Sequence, residues 1–243
     1  MPSSSAVPAS GQPQRTLYGR RLGRPLKAAR QSALDAWLPR LTVALPQDRP
    51  LDPAALFAAA APPVREIWLE VGFGAGEHLL AQSRAHPDVG LIGCEPFVNG
   101  MGSLMMAIAR EPERAANMRV FMDDARRLIA TLPDASLARV FVLFPDPWPK
   151  ARHHKRRFVA PTTLDTLARV MRDGAELRVA SDHEDYIAWS LTWLNADRRF
   201  APLRAAAEHR ERPADWPATR YEAKARAEGR RPAFLAYRRQ ARA

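Results

Sequence analysis

The segment Glu70-Val-Gly72-Phe-Gly74-Ala-Gly76-Glu77 follows an apolar run and opens a helical pattern. Glycines at such a junction let the backbone turn tightly and approach a ligand closely. The spacing G-x-G-x-G is not the dinucleotide G-x-G-x-x-G, which argues against a nicotinamide oxidoreductase. The Lys-Ser/Thr ending of a P-loop is missing too. Glu70, two residues before the first glycine, is placed to pair with a cationic amine. Glu95 ends the next apolar run, where an acid in nucleotide-binding α/β folds takes ribose hydroxyls. Asp123-Asp124 follows the third run, and a carboxylate there can accept from the amino group of a base. Asp124 is taken for that role, although the sequence does not separate it from Asp123.

Three acids after three successive runs describe a ligand with an amine, a ribose and a base, and with no need for phosphate. S-adenosylmethionine (SAM) fits that description, and the pattern resembles a methyltransferase. The fourth run ends in Phe144-Pro145-Asp146-Pro147-Trp148-Pro149-Lys150. Its three prolines stiffen the backbone and aim Asp146 and Trp148 above the strand end, where open α/β sheets bind ligands. The turn partly resembles the [D/N]-P-P-[Y/W] turn of nitrogen-directed methyltransferases, with Trp148 displacing the second proline. Directly after it, Lys150, Arg152, Lys155, Arg156 and Arg157 stand with His153 and His154 within eight positions. That density suits phosphate gripping more than base reading; the alternative is a solvated charge run. Adjacent histidines point apart on a helix or strand, so no metal is expected.

These groups need a scaffold, and the periodicity supplies one. Ile67–Val71, Val89–Cys94, Met118–Met122, Arg139–Phe144 and Ala175–Ala180 read as buried strands. Glu77 to Arg84, Gly102–Arg110, Ala125–Thr131, Pro161–Met171 and Tyr186–Leu194 read as helices, the last with Trp189 and Trp193 on one face. Leu51–Pro63 reads as a short helix and linker. Alternating strands and helices imply an α/β fold, a mostly parallel sheet with helices on both faces. The expected organisation is a flexible basic N-terminal arm over residues 1–30 and one domain over 31–243. The arm carries Arg15, Arg20, Arg21, Arg24, Lys27 and Arg30 before the first acid, Asp35. It suits phosphate contact or a solvated tail equally.

Lys plus Arg number 37 against 26 Asp plus Glu, a formal charge of +11, and the pI is about 10.8. Such an excess favours a polyanionic partner through counterion release, although an Arg-rich genome would raise it as well. Cys94 is the single cysteine, which excludes an intrachain disulfide and a thiolate-rich metal site. No apolar run is long enough for a transmembrane helix, and the Ser/Pro-rich start lacks the apolar core of a signal peptide. A cytoplasmic location is expected, as monomer or homodimer.

Taken together, the glycine loop, Phe144 to Lys150, Arg152 to Arg157, Ala180-Ser181-Asp182 and Thr219-Arg220-Tyr221-Glu222-Ala-Lys224 resemble the bacterial tRNA (guanine-N7)-methyltransferase family, TrmB-like. The resemblance runs from about Arg15 to the C-terminus and departs only in the Ala/Pro segment 51–63 and the first residues. It implies a Rossmann-like class I SAM-dependent methyltransferase acting on tRNA at a variable-loop guanosine, position 46. It implies that Glu70, Gly72, Gly74, Gly76, Glu95, Asp124 and Asp146 hold SAM, with Asp146 also catalytic. Lys150, Asp182, Thr219, Arg220, Tyr221 and Glu222 are implied for the substrate, and Arg152, His153, His154, Lys155, Arg156 and Arg157 for RNA contact.

Guanine N7 carries a lone pair and no proton, so the transfer needs alignment and desolvation rather than a base. A carboxylate beside the ring would stabilise the positive charge arriving there, with Asp146 and Asp182 expected as the pair. Trp148 is expected either to stack on the swung-out base or to act as an apolar lid. The competing readings are methylation of a different nitrogen or a different nucleic acid, a small-molecule or protein methyltransferase, which would leave the basic cluster unexplained, and a catalytically silent RNA-binding module on this fold.

Overall fold

The computed structural model describes residues 19–242, apart from the side chain of Arg114. Seven strands form one sheet in the order β3-β2-β1-β4-β5-β7-β6. They are β1 (Glu66–Val71), β2 (Val89–Cys94), β3 (Met118–Phe121), β4 (Leu137–Leu143), β5 (Met171–Ser181), β6 (Phe200–Pro202) and β7 (Ala233–Arg239). The first five strands pair in parallel, and β7 lies antiparallel between β5 and β6. The strand order reverses between β1 and β4, which opens a crevice above their carboxyl ends.

Side chains alternate across the sheet, as the two-residue strand period requires. Leu69, Ile92, Val140 and Val142 join the core that α4 (Ala125–Thr131), α5 (Pro161–Val170) and α6 (Glu184–Ala196) cover. Trp68, Leu91 and Phe141 face the core under α1 (Ala28–Leu41), α2 (Glu77–Ala85) and α3 (Val98–Arg110). A seventh helix, α7 (Arg220–Ala227), follows a long connection from β6. The five expected strands and five expected helices are all present. The Leu51–Pro63 helix is reduced to a single 3-10 turn at Ala55–Phe57.

Three departures have physical causes. First, α3 begins at Val98, four residues before the expected Gly102, and Gly100 lies inside it, where close packing on the glycine loop leaves no room for a side chain. A Cβ on Gly100 would stand 2.3 Å from the carbonyl oxygen of Gly74. Second, β6 and β7 extend the sheet antiparallel. β7 is a short apolar stretch whose pairing partner, β5, lies far back in the chain, so no local period announces it. Third, α1 starts at Ala28, so the boundary expected after Arg30 falls inside a helix.

The described part of the basic arm is laid against α3. The Val98 amide donates to the Arg21 carbonyl at 2.9 Å. The Gly23 amide donates to Asn99 Oδ1 at 2.9 Å, and Asn99 Nδ2 donates to the Arg24 carbonyl at 2.8 Å. The rest of the arm, including Arg15, lies outside the described residues. Among the described residues no helix is long and apolar enough to cross a membrane, and no cluster of three His, Cys, Asp or Glu side chains could hold a metal ion.

Candidate active site

A cavity of about 670 Å3 opens above the ends of β1, β2, β3 and β4, within the roughly 300–1,000 Å3 range of ligand clefts. Gly72, Gly74, Glu95, Asp123, Asp124 and Asp146 all line it. The glycine loop is held by the acid after β2. Glu95 Oε2 accepts from the Gly74 amide at 2.7 Å, and Oε1 accepts from the Phe97 amide at 2.9 Å. Gly74 has φ +60°, a left-handed conformation natural to glycine. Burial pushes the Glu95 carboxyl above its usual range; the two amides oppose this, while Asp146 and Glu70 add repulsion.

The two aspartates after β3 are distinguished by their partners. Asp124 caps α4, accepting from the Arg126 amide at 2.9 Å, and pairs with the Arg126 guanidinium at 3.0 Å. Asp123 is buried, accepts from the Asp124 amide at 2.8 Å and pairs with Arg127. Both still reach the cavity wall. Glu70 does not line it. It lies buried below the loop, where His78 Nδ1 stands 2.8 Å from Glu70 Oε2. The expected direct pairing of Glu70 with a ligand amine is therefore replaced by contact with His78, whose helix enters behind the loop. Gly76, at φ +87°, caps α2 from beneath and is likewise off the cavity wall.

After β4 the chain makes a strained turn. Phe144 and Trp148 take positive φ values of 50° and 45°, conformations that non-glycine residues hold only when their surroundings over-determine them. The Phe144 amide donates to the Ala180 carbonyl at 2.7 Å. Asp146, between the two, is exposed, yet its carboxyl is pushed up by desolvation. It lines the cavity, where the surrounding protein displaces part of the water around its carboxyl.

The C-terminal segment closes the far side. Tyr221 packs on Gly74, whose added Cβ would stand 2.8 Å from the Tyr221 hydroxyl. Its ring stacks with Phe144 at 6.3 Å between centroids. Arg220 bonds the Tyr221 hydroxyl at 3.3 Å and pairs with Glu77 at 3.4 Å. Both line the cavity, so residues expected at the substrate meet residues expected at the cofactor.

The family described as "Putative methyltransferase" matches residues 64–235. A tRNA (guanine-N(7)-)-methyltransferase of Paramagnetospirillum magneticum is 52% identical over 226 residues, covering 93% of this chain and 93% of that one. Another, of Rhodospirillum rubrum, is 50% identical over 230 residues, covering 93% and 88%. The chain belongs to the bacterial tRNA (guanine-N7)-methyltransferase family. Its fold matches the crystal structure of the antibiotic-resistance methyltransferase Kmr, with a TM-score of 0.50 and 21% identity over 78% of this chain and 94% of that one.

SAM is the methyl donor of this methyltransferase, and the donor set fits it. The cavity wall carries Glu95, Asp123, Asp124 and Asp146 beside a glycine loop and lacks the lysine-bearing cradle of a P-loop. Arg20, Arg30, Arg126 and Arg220 line the same cavity, so its wall is mixed in charge, and it is the acids at the strand ends beside the glycine loop that suit a cationic nucleoside.

Elsewhere in the chain the expected RNA and substrate residues separate. Arg157 is buried at 1% exposure and is not an RNA contact. Its guanidinium donates to the Pro147 carbonyl at 2.9 Å and the Trp148 carbonyl at 3.3 Å, pairs with Asp185 and lies 5.0 Å from the Trp189 ring. The other five form a 3-10 turn at Ala151–Arg156. Arg152 and Lys155 are exposed. Arg156 lies 4.8 Å over the Trp148 ring, and His153 meets the same ring edge-on at 5.9 Å. His154 packs on Trp189 at 5.2 Å. Desolvation, and then the surrounding cations, hold the His153 imidazole below its usual range.

Lys150 is exposed just before that turn and does not line the cavity. Asp182 is taken by Arg230 at 2.6 Å. Thr219 caps α7 by accepting from the Glu222 amide at 3.2 Å. Glu222 is buried and pairs with Arg226 at 2.9 Å and Arg212 at 3.2 Å. Lys150, Asp182, Thr219 and Glu222 thus stand off the cavity wall; the last two shape the helix that presents Arg220 and Tyr221. The wall also takes in Arg20, Arg30, Asn99 and Arg126, which sequence reasoning does not select as site residues. Arg20 and Arg30 fall in the expected arm, and Asn99-Gly100 precede the expected helix.

Proposed function

We propose that this chain transfers the methyl group of SAM to N7 of a variable-loop guanosine, position 46, in cytoplasmic tRNA. The observation that carries the reading is that Asp146 sits on the same cavity as Glu95, Asp124 and the glycine loop, with the exposed cations Arg152 and Lys155 on the turn just beyond it. The strand ends bring carboxylates suited to a cationic nucleoside into a cavity that Arg20, Arg30, Arg126 and Arg220 also line, and the turn just beyond it is basic and suited to a polyanion.

Each side chain has a defined task in this reading. Glu95 takes ribose hydroxyls with the lone pairs its two backbone amides leave free. Asp124 accepts from the adenine amino group while still capping α4. Glu70 keeps the loop in place from below, through His78. SAM supplies a methyl group on a sulfonium, whose positive charge ends on the guanine ring. Asp146 faces that ring as a carboxylate, stabilises the arriving charge and accepts from the guanine N–H edge. Guanine N7 needs no base, so the enzyme's contribution is alignment and removal of water. Extruding the base from its stack costs a few kcal/mol, offset by phosphate contacts to the basic turn.

The test is methyl transfer from labelled SAM to unmodified tRNA transcripts, with the product nucleoside identified by mass and retention. N7-methylguanosine, lost when the variable-loop guanosine is replaced by adenosine, supports the full reading. Another methylated nucleoside would keep the methyltransferase and displace the target atom. Binding of tRNA without transfer would favour a silent RNA-binding module.

A further inference from the structure

Arg126 occupies a position that the reaction chemistry does not require. It is the second residue of α4 and lines the cavity. Its Nη1 pairs with Asp124 Oδ2 at 3.0 Å. Its Nη2 donates to the Arg156 carbonyl at 3.1 Å and the Arg157 carbonyl at 3.2 Å. The guanidinium also lies 5.1 Å from the Phe158 ring. One planar fork therefore joins the acid on the nucleoside side of the cavity to the backbone of the basic turn. From the end of that turn Arg157 reaches on to the Pro147 and Trp148 carbonyls, which belong to the loop carrying Asp146. The result is a continuous charge-assisted chain: Asp124, Arg126, the carbonyls of Arg156 and Arg157, the Arg157 guanidinium, and the Asp146 loop.

Resting on the function proposed above, we propose that Arg126 is a positioning residue that couples cofactor binding to tRNA binding. Asp124 divides its oxygens between Arg126 and any donor arriving from the cavity. When an adenine amino group takes part of that carboxylate, Arg126 leans more on the two carbonyls. The turn bearing Arg152 and Lys155 is then held in one geometry before RNA arrives, which removes part of the ordering cost of RNA binding. Linkage makes the effect reciprocal, so bound tRNA tightens the cofactor by the same factor. Lysine cannot replace arginine here, because a point charge cannot serve a carboxylate and two carbonyls together.

The test uses the full chain and S-adenosylhomocysteine as the probe. Its dissociation constant is measured by calorimetry, alone and with saturating unmodified tRNA transcript, for the wild type, Arg126→Ala and Arg126→Lys. The expected ratio is about fivefold or more for the wild type, the lower end of common coupling factors, and close to one for both variants. A merely structural role would weaken each affinity separately and leave the ratio unchanged. Thermal melts check folding, and if Arg126→Ala does not fold, Arg126→Lys carries the comparison. A wild-type ratio of one, or an unaltered ratio in the variants, overturns the coupling while tRNA methylation stands. A wild-type chain that neither binds nor methylates tRNA overturns the functional reading and this inference with it.

Discussion

The Arg157 guanidinium donates to the Pro147 carbonyl at 2.9 Å, ten residues back along the chain. A residue inside a run of cations is thus the internal strut of the turn that presents Asp146. The charge run and the strained turn are one structure.

Replacing Arg157 by Ala should therefore behave as a core mutation. It bares two carbonyl acceptors and deletes a buried side chain, at a cost of roughly 2–4 kcal/mol. Turnover should fall more than tRNA affinity, and the salt dependence of binding should barely change. Chemical denaturation and filter binding across a salt series check both; full stability with a reduced salt slope would contradict this assignment.

Arg152 and Lys155 should behave in the opposite way. Both are exposed, so the double alanine variant should change stability by no more than about 0.5 kcal/mol. The slope of log affinity against log salt should drop by about one for each phosphate that the variant no longer grips. An unaltered slope would mean that the turn is only a solvated surface.

Asp146→Asn keeps the shape and removes the charge. Turnover should fall on the order of 100–1,000-fold, the usual effect of deleting one electrostatic stabiliser, while tRNA binding stays nearly intact. The folded-state pKa of this carboxyl is raised, so its ionised form opposes folding at neutral pH. That opposition is full above the folded pKa and gone below the unfolded one. The variant should thus melt no lower than wild type at neutral pH, with any gain disappearing as pH falls through the carboxylate range. Wild-type turnover should decline on the acid side as Asp146 protonates, and melts and rates over a pH series read both effects.

Gly100→Ala offers a reversal of the ordinary rule. Alanine inside a helix is normally better than glycine by about 1 kcal/mol. Here its Cβ would meet the Gly74 carbonyl at 2.3 Å, a backbone atom that cannot swing aside. Destabilisation of roughly 1–3 kcal/mol is expected from the overpacking, together with weaker cofactor binding because the glycine loop must shift. Calorimetric melting and S-adenosylhomocysteine titration measure the two.

Much of this molecule was legible in its residue order because the relevant signals are local. Buried strands from Ile67, Val89, Met118 and Arg139 onward announce themselves as apolar runs ending in an acid, a glycine or a proline. Glu95, Asp124 and Asp146 were identifiable for the same reason: each sits where a strand must deliver its side chain to the crevice. Family resemblance added Arg220 and Tyr221, which no local pattern singles out.

What sequence determined alone, then, is the β/α alternation, the glycine loop and the acids at the strand ends, since period and strand polarity settle these within a few residues. Tertiary structure decided the rest, because it depends on groups far apart in the chain. β7 became a strand only through pairing with β5. Arg157 became a strut because the Pro147 and Trp148 carbonyls and Asp185 surround it, and Glu222 and Asp182 were taken up by Arg226, Arg212 and Arg230. A guanidinium reads the same in sequence whether it faces phosphate or a carbonyl, and only its neighbours in space distinguish the two.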